Sequence, residues 1–124
     1  MKKFIVLAIF ISFTLGFAAC KKNTSTTCNL DKTDTVPAAM DILFKATKTG
    51  DGSISTLNYK VGSLEKTISN PSLPWSAEVP ALSGDAISIT ATGTTSNGSL
   101  TISYDGKSGG YEIQGSDDCS HSNK

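Results

Sequence analysis

The stretch Ile87-Ser88-Ile89-Thr90-Ala91-Thr92, followed by Asn97-Gly98 and then Leu100-Thr101-Ile102-Ser103-Tyr104, decides the fold class. Apolar and polar residues alternate on both sides of an Asn-Gly pair. Period two is the signature of a half-buried strand, and Asn-Gly is a strong signal for a tight hairpin turn. Outward from this pair the pattern repeats. Ile42, Phe44 and Ala46 alternate with Leu43, Lys45 and Thr47, and Asp51-Gly52 marks a turn. Leu57, Tyr59 and Val61 form a second alternating run, and Leu64, Lys66 and Ile68 share a face in a third. Asn70-Pro71-Ser72-Leu73-Pro74 interrupts any strand, because proline cannot donate to a ladder. A short strand is expected around Ser76 to Val79. Asp105-Gly106 reads as a further turn, extended by Gly109-Gly110, before Tyr111 and Ile113 close the series. About seven short alternating segments without helical periodicity predict an all-β, antiparallel β-sandwich over residues 39–115.

The flanks read differently. Lys2 and Lys3, an apolar run from Phe4 to Phe17, and Ala18-Ala19-Cys20 form a secretory signal with a processing site. The run is about 15 residues, short of the roughly 20 that a spanning helix needs. With cysteine at the expected first mature position, the segment resembles the lipobox of bacterial lipoproteins. Residues 1–19 are thus expected to be a lipoprotein signal peptide. Cys20 is expected to carry lipid (palmitate among its acyl chains) on the exported side of the cell envelope, with the outer membrane as the site. Residues 20–38 are Thr-, Lys-, Asp- and Asn-rich and predict a flexible, lipid-anchored tether. Within them Asp34-Thr35-Val36 resembles a bacterial O-glycosylation signal. Residues 116–124 predict a polar tail.

Without its signal the chain keeps nine lysines against eleven acidic residues and has no arginine, a charge of about two negative units. A chain without a basic stripe or the preferred phosphate-binding side chain is a poor candidate for nucleic acid. With Cys20 lipidated, Cys28 and Cys119 remain, either as a disulfide tying together the ends of the domain or as two free thiols. An exported compartment permits the bridge. The single histidine, His121, cannot complete a tetrahedral metal site with Cys119 alone, so no metal and no cofactor are expected.

Catalysis needs a positioned base, acid or nucleophile. His121 lies in the polar tail. Asp51, Asp85, Asp105, Asp117 and Asp118 fall in turns or polar loops, without a calcium-loop spacing. No catalytic residue is assigned. The tyrosines fall at inward-looking positions. Trp75, the only tryptophan, follows Pro74 at a strand start, where it either plugs one end of the sandwich or anchors a partner.

The segment Asn70-Pro71-Ser72-Leu73-Pro74-Trp75-Ser76 resembles the "LPW" region of the MmpS family, small membrane-anchored accessory proteins of RND-type lipid exporters. Leu57-Asn58-Tyr59-Lys60-Val61 before it, Gly84-Asp85 and the strand from Ile87 after it, and the run from Asn97 to Lys107 ending in Asp105-Gly106-Lys107 are similar in order and kind. The resemblance covers roughly residues 42–115. It implies an immunoglobulin-like sandwich and a role for Leu73, Pro74 and Trp75 as plug or partner contact. Typical members carry a transmembrane helix rather than a lipid anchor. Many have a cysteine in the strand before "DGK", where this chain has Leu100, Thr101 and Ile102.

The expected function is therefore a non-enzymatic envelope adaptor working through protein contacts, with an RND-type transporter as the partner that the resemblance implies. The rival is a surface carbohydrate- or ligand-binding module. An exposed aromatic row would favour the rival. Buried aromatics with an open strand edge would favour the adaptor, since open edges recruit partners by strand addition.

Overall fold

Eight strands, most of them alternating inward apolar residues with outward polar ones, build two antiparallel four-stranded sheets packed face to face. The computed structural model describes residues 24–122. The strands are β1 (Thr26–Thr35), β2 (Met40–Gly50), β3 (Ser53–Val61), β4 (Leu64–Ser69), β5 (Trp75–Ala81), β6 (Ala86–Thr95), β7 (Gly98–Ser108) and β8 (Tyr111–His121). One sheet has the order β1-β6-β3-β4 and the other β5-β2-β7-β8. The β-sandwich expected from the alternation is thus the observed architecture. The core is formed by Ile42, Phe44 and Ala46 of β2 and Leu100, Ile102 and Tyr104 of β7. Leu57 and Tyr59 of β3 and Ile87, Ile89 and Ala91 of β6 pack against them from the other sheet.

The registers place the loops at two ends. Thr26 of β1 pairs with Thr95 and Gly50 of β2 with Gly98, so the start of β1 shares one end with the β2–β3 and β6–β7 turns. Asp51 locks that end. Its Oδ1 accepts from Ser96 N (2.9 Å), Asn97 N (2.9 Å) and Thr95 Oγ1 (3.1 Å). These donors hold the Asp51 carboxyl below the usual carboxylate range, the Asn97 and Ser96 amides foremost. At the other end Gly84 N donates to Val36 O (2.7 Å), and Val36 N donates to Asp85 O (2.9 Å).

Three expectations are corrected. The stretch read as tether contains β1, whose Cys28 and Leu30 point inward and whose backbone pairs with β6 along its whole length. Its threonines are β-branched and suit an outward strand face, so a polar composition concealed a strand. The stretch read as a polar tail belongs to β8 as far as His121, and that strand pairs with β7 from Tyr111 onward. Asp105-Gly106 is no turn but the interior of β7, where Gly106 lies opposite Ile42. A Cβ there would come within 2.8 Å of Ile42 Cδ1 and Met40 Sδ, so the glycine makes room for core side chains. The eighth strand beyond the expected seven is β1.

Candidate functional site

The two open sides of the sandwich differ. On one side β1 and β8 are fastened together. Cys28 and Cys119 form a disulfide with Cα atoms 5.9 Å apart. Asp31 N donates to Asp117 Oδ2 (3.0 Å), and Thr24 Oγ1 lies 3.3 Å from His121 Nε2. Deeper in, the Tyr104 hydroxyl of β7 donates to Asp34 Oδ2 of β1 (2.5 Å). The Tyr104 ring passes over Gly115, where a Cβ would sit 2.7 Å from it. Burial, then the Asp34 hydrogen bond and charge, push the Tyr104 hydroxyl far above its ordinary value.

The opposite side carries no such fastening among the described residues. Its edges are β4 and β5. Across the sandwich β5 packs against β3, which leaves β4 overhanging. No residue of β4 is buried, although Leu64, Lys66 and Ile68 occupy its inward positions. Leu64 is 42% exposed, and Ile68 is half-buried against the core. Lys66 stands between them without an ion pair to any described residue, whereas Lys60 pairs with Glu65 and Lys107 with Glu112. Leu82, just past β5, is 69% exposed.

The Leu73-Pro74-Trp75 segment forms one lip of this side. Pro74 is exposed, while Leu73 and Trp75 are half-buried and pack on the core. The indole lies 5.6 Å from the Tyr59 ring, which lies 5.1 Å from Phe44. An aromatic chain thus runs from the core centre to the open edge. Burying such rings removes a large apolar area from water, and the tilted pairs add a modest favourable contact.

The other expected site residues fall as follows. Cys20 lies outside the described residues. Cys28 and Cys119 are bridged. Asp105, Asp117 and Asp118 lie in strands rather than in loops, Asp105 and Asp118 on the outer face of their sheet and Asp117 turned inward to Asp31. Tyr59 and Tyr104 are buried at inward positions, whereas Tyr111, on the same strand face as Ile113, is not buried. It is 56% exposed beside the Gly109-Gly110 turn. The Asp34–Tyr104 pair went unseen, because 70 residues separate its members and neither has a local motif. Lys66 lies on the strand face that the alternation gives it, but the exposure of that face follows only from the sheet order.

No protein-family profile, no curated protein and no solved structure matches this chain.

Proposed function

We propose that this protein is a non-enzymatic lipoprotein of the cell envelope, anchored through Cys20 and working as an adaptor through protein contacts on its β4–β5 side. One observation carries the reading: the large aromatics Phe44, Tyr59 and Tyr104 are buried, while β4 is an exposed edge with an uncovered inward face. Exposed edges and uncovered apolar stripes are where soluble sandwiches accept partners. A carbohydrate platform would instead present stacked rings on a sheet face, and Tyr111 is the only tyrosine exposed among the described residues. The MmpS resemblance of residues 42–115 supports an immunoglobulin-like form and names an RND-type transporter as the class of partner.

In this reading the domain sits close to its membrane. Only residues 21–25 lie between Cys20 and the start of β1. At about 3.5 Å per residue they span less than about 20 Å. The Leu73-Pro74-Trp75 lip shares the end at which β1 starts, since Trp75 pairs with Ala46 near the Gly50 end of β2.

The test places a photo-crosslinking amino acid in the full chain in cells, at Ser69 and Ser76 on the edge strands and at Thr90 on an outer face. Discrete protein adducts from any surface position support an adaptor. Glycan binding without a protein adduct supports the carbohydrate module instead. Cys20→Ser separates the anchor from the domain: it abolishes acyl labelling and membrane retention. Equal labelling of wild type and variant overturns the lipid anchor.

A further inference from the structure

We infer that the overhang beneath β4 is a strand-acceptor groove for an extended partner segment with an acidic residue flanked, two positions away on each side, by aliphatic ones. The inference rests on the adaptor reading and specifies its partner. Sheet order gives the position. A strand added to the free edge of β5 extends the sheet β5-β2-β7-β8 by one place, directly opposite β4. Among the described residues no strand occupies that place, since β5 is the last strand of its sheet. The added strand would cover Leu64, Lys66 and Ile68, the inward residues of a strand with none buried.

Side-chain chemistry gives the partner. Leu64 and Ile68 offer an aliphatic surface spaced two strand positions to either side of Lys66. Covering a lysine without a counter-charge is costly, and Lys66 makes no ion pair among the described residues. Facing sheets lie about 10 Å apart, a gap that a lysine and a glutamate side chain span together. A partner with alternating Val, Glu and Val on its inward face satisfies both requirements. Backbone hydrogen bonds to β5 supply affinity, and the alternate side chains supply specificity. Pro80 lacks an N–H and sits on the same strand face as Ser76 and Glu78, which sets the β6 side as the limit of the added ladder.

The experiment uses the full chain in detergent micelles and the fluorescence of its one tryptophan, Trp75, on the strand that receives the ladder. The probes are two capped heptapeptides, Thr-Val-Thr-Glu-Thr-Val-Thr and its counterpart with Lys at the centre. The Glu peptide should bind wild type roughly fivefold more tightly than the Lys peptide. Lys66→Glu, an exposed substitution, should reverse the order. Equal affinities on wild type, an order unchanged by Lys66→Glu, or no saturable binding of either peptide overturns the groove. If the groove fails while cellular adducts form at other positions, the adaptor reading stands and only this surface is wrong. If no protein adduct forms anywhere, the adaptor reading itself falls.

Discussion

The Tyr104 hydroxyl donates to Asp34 Oδ2 at 2.5 Å, and the two residues belong to different sheets. This bond, with the Cys28–Cys119 disulfide, closes one side of a sandwich whose other side stays open. Tyr104→Phe removes the donor and leaves a half-buried carboxylate without it. The expected loss is about 1–3 kcal/mol in urea unfolding. A double-mutant cycle with Asp34→Asn should show coupling of about 1 kcal/mol, and strict additivity would mean that the bond contributes nothing.

The same contact predicts an alkaline limit. The folded state holds the Tyr104 proton more tightly than the unfolded chain does. The stability this confers is fully present below the unfolded tyrosine value, near pH 10, and is lost as pH rises toward the folded one. Tyr104 should ionise above the ordinary tyrosine range in an ultraviolet titration. In Tyr104→Phe the decline in stability above about pH 10 should be shallower. Identical alkaline profiles for the two proteins would refute the assignment.

At the opposite pole of the pH scale stands Asp51. Its lowered carboxyl contributes stability that is present above the ordinary carboxylate value and is lost as pH falls through the folded one. Asp51→Ala should lower the melting temperature at neutral pH, because Ser96 N and Asn97 N lose their acceptor. It should also flatten the decline in acid. A variant that melts lower but keeps the full acid decline would assign that decline to another carboxylate.

Reduction of Cys28–Cys119 is expected to be severe. The bridge spans 91 residues, and closing such a loop stabilises a domain by about 4–5 kcal/mol on the chain-entropy account. Cys28→Ser/Cys119→Ser should lower the urea midpoint and expose the amides of β1 to hydrogen exchange before those of β2 and β7. Simultaneous exchange of all strands would show that β1 is no weaker than the core.

Much of the fold was legible in the chain because five of its strands, β2, β3, β5, β6 and β7, carry apolar residues at every second position. Ile42-Phe44-Ala46 and Leu100-Ile102-Tyr104 are clear examples, and both triplets point inward. The flanking strands were hidden for a physical reason. β1 and β8 are edges, held by their backbone ladders, a disulfide and a few side-chain bonds without a continuous apolar face. Their polar inward residues, Asp34 and Asp117, read as tether and tail. The candidate site was half legible. Leu73-Pro74-Trp75 stood out by composition and Lys66 by face, but their meeting on one uncovered side depends on which strands are edges, and alternation carries no information about sheet order.

Trp75 decides how far that side is structural. Its indole is half-buried on Tyr59 rather than enclosed. Fully buried, Trp→Ala costs about 3–5 kcal/mol, so a half-buried ring should cost about 2 kcal/mol. Leu73→Ala, at a half-buried position, should cost less. The native emission should fall between a buried and a solvated indole. Should Trp75→Ala leave stability unchanged, the ring would belong wholly to the partner surface. Should it cost the full core value, the ring would be a plug and the β4 overhang alone would remain for a partner. An intermediate loss combined with weaker binding of the Val-Glu-Val peptide to Trp75→Ala is the outcome expected of a ring that supports the edge from one face and receives a strand on the other.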